Sequence, residues 1–138
     1  MKNMEVDLVK KKVADNDFDI QDFEIYLKAI KELTDNDPEI KDVLNELSNF
    51  SIQFSIFGLT DIHLRVENGE VIVESGVIEN PNIIFEMTDV VGSGIIRNEI
   101  DPISAYLSGD FKITGDAALA MKLKPYIQKY KKVLGFEK

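Results

Sequence analysis

Ser51-Ile52-Gln53-Phe54-Ser55-Ile56, followed by Ile62-His63-Leu64-Arg65-Val66-Glu67-Asn68-Gly69-Glu70-Val71-Ile72-Val73, alternates apolar with polar side chains. A period of two sends successive side chains to opposite faces of a pleated strand, so these runs read as half-buried strands. Asn68-Gly69 separates two of them. Both residues tolerate the left-handed backbone of a two-residue turn, and the pair is a strong hairpin signal. Asn80-Pro81 breaks the chain again, and Ile83-Ile84-Phe85-Glu86-Met87 reads as the next strand. The middle of the chain is expected to be an antiparallel meander.

Outward from this region the period changes. On the N-terminal side Ile20, Phe23, Leu27, Ile30 and Leu33 recur at spacings of three and four, which predicts a helix from near Asp19. Asp37-Pro38 supplies an N-cap and a first-turn proline for a second helix carrying Ile40, Val43, Leu44 and Leu47. On the C-terminal side Thr88 is expected to cap a short helix through Val91 and Ile95. Asp101-Pro102 starts another through Ile103, Tyr106 and Leu107 that stops at Gly109. Phe111-Lys112-Ile113-Thr114 alternates as a fifth strand. Asp116 then caps a helix whose stripe of Leu119, Leu123, Ile127, Tyr130 and Leu134 continues in phase past Pro125, where a kink or a split is expected. Helices segregated from a mostly antiparallel sheet make the fold class α+β.

The chain has 138 residues, enough for one core of useful size. It has no cysteine, which removes disulfides, thiolate metal sites and thiol nucleophiles together and fits a cytoplasmic setting. No apolar run reaches the roughly 20 residues of a membrane span, and the N-terminal residues 1–7 are too charged for a signal-peptide core. A net charge of −9 repels a phosphate backbone, so nucleic acid is excluded as a partner. The acidity is concentrated from Asp15 to Glu46, whereas Phe111 to Lys138 holds seven lysines against Asp116 and Glu137.

Reactive groups are scarce. The single histidine, His63, falls in the polar phase of its strand and is expected to be a plain surface residue, which leaves a nucleophilic triad without its base. Asp15, Asp17, Asp19, Asp22 and Glu24 lack the spacing of a calcium loop and read as a solvated helix entry. Gly92-Ser93-Gly94 lacks the lysine of a phosphate loop and reads as a helix loosened for close approach. The chain is therefore expected not to be an enzyme, and to need no metal or cofactor.

The run Asp101-Pro102-Ile103-Ser104-Ala105-Tyr106-Leu107-Ser108-Gly109-Asp110-Phe111-Lys112-Ile113-Thr114-Gly115-Asp116, continuing to Ala120-Met121-Lys122-Leu123, resembles the sterol carrier protein type-two family. The likeness extends over about Phe23 to Lys124, through Asp37-Pro38-Glu39, the aromatic strand around Phe54, the hairpin at Gly69 and Phe85-Glu86-Met87-Thr88-Asp89. It implies a sheet of about five strands covered by helices that enclose an apolar tunnel. The tunnel would hold a lipid or other apolar molecule: a fatty acid, fatty acyl thioester, phospholipid or sterol. Phe85, Met87, Ile95, Tyr106, Phe111, Ile113, Leu119 and Leu123 are the candidate lining, each with ordinary core packing as its alternative. Two departures stand out: Gly92-Ser93-Gly94 where the family has large apolar residues, and Asn98 where it has glycine. The expected layout is an N-terminal arm at 1–18, the sterol-carrier-like domain at 19–124 and a helical extension at 125–138. In that extension Lys122, Lys124, Lys129, Lys131 and Lys132 accompany the apolar stripe, which suits contact with an anionic membrane. The same lysines also suit the acidic first third or a second copy, so a homodimer stays open. An accessory subunit docking on an enzyme for hydrophobic substrates is the alternative to a carrier.

Overall fold

The computed structural model describes residues 4–136. The helices are α1 (Met4–Ala14), α2 (Phe23–Asp35), α3 (Pro38–Glu46), α4 (Asp89–Ile96), α5 (Pro102–Ser108) and α6 (Ala117–Leu134). The strands are β1 (Phe50–Ile56), β2 (Ile62–Glu67), β3 (Glu70–Ser75), β4 (Ile83–Met87) and β5 (Phe111–Gly115). Caps fall where short polar side chains stand before apolar periods. Asp37 accepts from the amides of Glu39 and Ile40, Thr88 from that of Val91, Asp101 from that of Ser104 and Asp116 from that of Leu119. Each satisfies an amide that a helix start leaves without a partner. Asp19 forms a capping box over the 3-10 turn Ile20–Asp22 that leads into α2.

The strands form one sheet in the order β3-β2-β1-β4-β5. Asn68 and Gly69 take φ of 54° and 79°, and the hairpin they close sets β2 against β3. The expected meander ends there. β4 does not return beside β3 but joins β1 in parallel. Residues 76–82 carry the chain across the outer face of β1 and β2, and Asn82 docks at the start of β1. Its amide donates to the Ser51 carbonyl at 3.0 Å and its side-chain oxygen accepts from the Ser51 amide at 2.8 Å.

That crossing also corrects His63. The residue keeps the polar phase expected of it, paired across the sheet with Gln53, but it is buried. The segment after β3 lies over it, with the Gly76 carbonyl 3.0 Å from its Nδ1. Gln53 fixes the same segment, donating to the Ile62 and Gly76 carbonyls and accepting from the Ile78 amide at 2.9 Å.

The opposite face of the sheet carries Ile52, Phe54, Leu64, Val66, Val71, Ile83, Phe85 and Ile113 and is covered by helices. The stretch expected as an arm contributes to this core, since α1 buries Val6 and Val9 there. Glu32 of α2 holds α1 in place: its two carboxylate oxygens accept from the amides of Glu5 and Val6, each at 2.9 Å. A carboxylate at a helix N-terminus satisfies orphan amides and opposes the positive end of the dipole. At the other end α6 runs as one helix through Pro125 rather than splitting, and Tyr130 and Leu134 return to the core.

Candidate apolar site

On the helix-covered face four rings form a row across the sheet. Phe23 of α2 meets Phe54 of β1 edge-on at 4.9 Å. Phe54 stacks on Phe85 of β4 at 5.6 Å, and Phe85 stacks on Phe111 of β5 at 5.5 Å. Strand pairing places the rings there. Phe54 is level with Phe85 and Phe85 with Ile113, while Met87 faces Phe111 across the last pair. Offset stacks at these distances add a modest attraction to the area they bury.

Burial along this face is graded. Phe23, Ile52 and Ile83 are buried, whereas Phe54, Phe85, Met87, Ile113 and Leu123 are half-buried and pack against the core from one side. Of the eight sequence candidates, Phe85, Met87, Phe111 and Ile113 share this face by register, and Leu119 and Leu123 pack from α6. Ile95 is half-buried on α4. Tyr106 departs from its expected place, because α5 turns only Ala105 inward and leaves Tyr106 50% exposed. Phe54 was not among the candidates. Its phase along β1 was readable, but its place in the row depends on the parallel β1–β4 pair, which no local signal announces.

Neither of two cavities in the molecule is lined by these candidates. One of about 430 Å³ lies between α1, α2 and β3 among Glu5, Lys28, Lys31, Glu32, Asp35 and Glu70. Another of about 230 Å³ is lined by Gln21, Phe23, Glu24, Gly58 and Asp61 among others.

The two departures from the family pattern have local explanations. Gly92 lets Ile20 approach α4: a Cβ there would stand 3.0 Å from Ile20 Cδ1 and 3.3 Å from Met87 Sδ. Ser93 accepts from the Ile20 amide at 3.1 Å, and Gly94 makes room for Ile100. The close approach expected of this segment is made by the protein's own side chains. Arg97 fastens the same junction by donating to the Phe18 carbonyl through Nε, at 2.9 Å, and through the guanidinium terminus. Asn98 adopts φ of 63°, a conformation that glycine takes freely and asparagine tolerates better than most residues.

The C-terminal lysines divide. Lys131 is buried and donates to the Ile95 carbonyl at 2.9 Å and to Asn98 Oδ1. Lys129 donates to Asp37 at 3.0 Å, and Tyr130 donates to the same carboxylate at 3.3 Å. The Lys129 hydrogen bond, with help from the Ile40 amide, holds the Asp37 carboxyl below the usual range. Burial pushes the hydroxyls of Tyr26 and Tyr130 up. Of the five lysines assigned to a membrane face, Lys131 is thus used inside the fold and Lys129, half exposed, is tied to Asp37.

A profile of the SCP-2 sterol transfer family matches residues 27–128. Stomatin-like protein 1 of Homo sapiens is 35% identical over 51 residues, which are 37% of this chain and 13% of that protein. The chain therefore spans about an eighth of the curated relatives it matches. Among solved structures, sterol carrier protein domain 2 of Helicoverpa armigera superposes with a TM-score of 0.57 at 24% identity, over 78% of this chain and 86% of that one. The stereoselective inverting sec-alkylsulfatase Pisa1 from Pseudomonas sp. superposes with a TM-score of 0.57 at 18% identity, over 76% of this chain and 16% of that one. At these identities the structural likeness establishes the fold.

Proposed function

Because the chain belongs to the SCP-2 sterol transfer family, we propose that it binds and carries a lipid or another apolar chain molecule without chemical change. The observation that carries this reading is the graded apolar face. Phe54, Phe85, Met87 and Ile113 share one sheet face, and they and Leu123 of α6 keep contact with solvent, whereas a plain core would close over side chains of this size. A ligand lying along the ring row would complete their burial. Phe111, Leu119 and Ile95 would form its walls, and Tyr106 would stand at the rim. Opening of α4–α6 from the sheet would convert this face into the tunnel that the family resemblance implies.

The absence of chemical change is supported by where the one imidazole sits. His63 is on the sheet's other face, under residues 76–78 and away from the row. No helix among the described residues is long and apolar enough to cross a membrane. Together with the lack of cysteine, this supports a carrier that works in the cytoplasm and meets membranes only in passing.

Titration with a fluorescent fatty-acid analogue tests the proposal. One saturable site is expected, emptied by an unlabelled long-chain lipid. Failure of saturable binding across fatty-acid, sterol and phospholipid probes would overturn it.

A second reading has its own support. The Pisa1 superposition places this fold in 16% of an enzyme's chain, which favours a module that docks within or upon a larger enzyme acting on hydrophobic substrates. Native mass spectrometry separates the two, because a carrier retains co-purified lipid and a docking module retains a protein.

A further inference from the structure

β3 is an edge strand, with β2 on one side and no strand on the other. The turn at Asn68-Gly69 makes Glu67 and Glu70 a hydrogen-bonded pair. Alternation along the antiparallel ladder then points the amides and carbonyls of Val71, Val73 and Ser75 away from β2. The Gly76 amide, which donates to the Asp61 carbonyl at 2.7 Å, keeps the same alternation at the far end. Nothing among the described residues bonds to the outward groups of Val73 and Ser75. Val71 is buried, Val73 half-buried and Ser75 exposed, so the edge opens towards Ser75. Proteins commonly blunt such an edge with a proline, a lysine or a bulge. Glu70–Ser75 has neither proline nor lysine, and its register is unbroken over six pairs.

Both cavities border this edge. The larger takes in Val71, Ile72 and Val73 and the smaller takes in Ser75, and α2 walls the first with Lys28, Lys31 and Asp35 and the second with Phe23 and Glu24. A concave strip therefore follows the strand. Its two ends hold six carboxylates against two lysines, a net −4. Lys28 is paired with Glu24 at 3.0 Å, and Lys31, held by Asp35 at 3.3 Å, reaches Glu70 only at 3.9 Å. Glu32 is spent on the amides of α1, which leaves the excess with Glu5, Asp61 and Glu70.

We propose that this strip receives an extended, cationic segment of a partner protein, added to β3 as a further strand. A strand edge offers hydrogen bonds at two-residue intervals, a spacing that another extended backbone repeats, and alternate side chains of that backbone would reach the carboxylates. A second copy is a poor occupant. Its own β3 would bring Glu70 and Glu74 against the same charges, and its lysine-rich stretch is wound into α6. The inference uses the edge of the sheet and not its apolar face, so it stands or falls apart from the carrier reading.

Fluorescence anisotropy of the full chain with a labelled peptide, Lys-Val-Lys-Val-Lys-Val, tests the contact. Saturable binding is expected below about 1 mM. The same peptide with glutamate in place of lysine should bind at least about tenfold more weakly. So should the lysine peptide N-methylated at every residue, which keeps its charge and loses its amide donors. Val73→Pro removes an outward amide without touching the β2 ladder and should weaken the lysine peptide about fivefold. Asp61→Asn/Glu70→Gln should narrow the difference between the lysine and glutamate peptides. If Val73→Pro does not fold, the N-methylated peptide still decides whether backbone pairing is used. Absence of saturable binding by the lysine peptide overturns the proposal, and so does equal binding by its N-methylated form, which would reduce the contact to diffuse attraction. A dimer in sedimentation velocity that the lysine peptide dissociates also overturns it, by assigning the edge to a second copy. If the peptide binds as expected and no apolar probe does, the docking edge stands and the carrier reading falls.

Discussion

Asn98 shows how one residue carries two constraints. Its φ of 63° ends α4 in the left-handed region, where a Cβ crowds the backbone, and its side chain holds the ammonium of the buried Lys131. A glycine meets the first constraint only. Asn98→Gly is therefore expected to lose about 1 kcal/mol, the net value of one hydrogen bond. Asn98→Ala adds backbone strain and should lose about 2 kcal/mol. Urea unfolding compares the two, and an alanine variant as stable as the parent would show that neither constraint matters. The glycine that the family resemblance leads one to expect at this position was a readable clue to the backbone. The lysine 33 positions away was not, because no local pattern links them. His63 failed for the same reason: its phase was local information, and the segment that buries it was not.

Among the elements, the junction of α3 with α6 shows how a cap is also a clasp. Asp37 accepts from the Glu39 and Ile40 amides at the start of α3 and from Lys129 and Tyr130 of α6. Asparagine can keep the first role but not the charge. Asp37→Asn should cost under about 1 kcal/mol, since Lys129 is half exposed and such pairs are screened. Asp37→Ala should cost about 1 to 2 kcal/mol through the lost cap. The pH dependence has a definite sign. A carboxyl held below its usual range stabilises the fold above that range, and the contribution is lost as acid protonates it. Lys129 is shifted up by the same contact, so its contribution is present below the ordinary lysine range and lost as alkali removes its proton. The cost of Asp37→Asn, followed by thermal melting, should thus be flat near neutrality and shrink at both extremes; a constant cost across pH would deny the ion pair any role. The cap itself was legible as Asp37-Pro38, as were the caps of α4, α5 and α6 and the hairpin at Asn68-Gly69, because each depends on four or five consecutive residues. The parallel pairing of β4 with β1 was not legible, since it joins residues about 31 positions apart, as where Asn82 meets Ser51.

Across the whole molecule, α6 joins the buried core to the candidate site, and its stripe tests which residues belong to each. Leu119, Leu123 and Ile127 follow one another at intervals of four and look equivalent in sequence, yet their burial falls along the helix. Leu119 belongs to the central core, Leu123 is half-buried against it, and Ile127 is 41% exposed. Hydrophobic period predicts the stripe but not how far each residue sinks, which depends on the sheet beneath. Charge substitution should therefore give three outcomes. Leu119→Asp forces a carboxylate into a close-packed interior and should leave the chain unfolded or destabilised by about 4 kcal/mol or more. Leu123→Asp can turn its carboxylate to solvent, so a folded protein about 1 to 2 kcal/mol less stable is expected. A ligand on the ring row would then meet a charge instead of a methyl group, and the affinity for the fatty-acid analogue should fall at least tenfold. Ile127→Asp should change stability by under about 0.5 kcal/mol and leave affinity unaltered. Circular dichroism with urea unfolding separates stability from affinity in all three. If Leu123→Asp folds and binds like the parent, Leu123 faces water throughout the binding cycle and α6 does not line the site. If Leu119→Asp folds and only binding is lost, Leu119 serves the site as a wall without being needed to hold the core together.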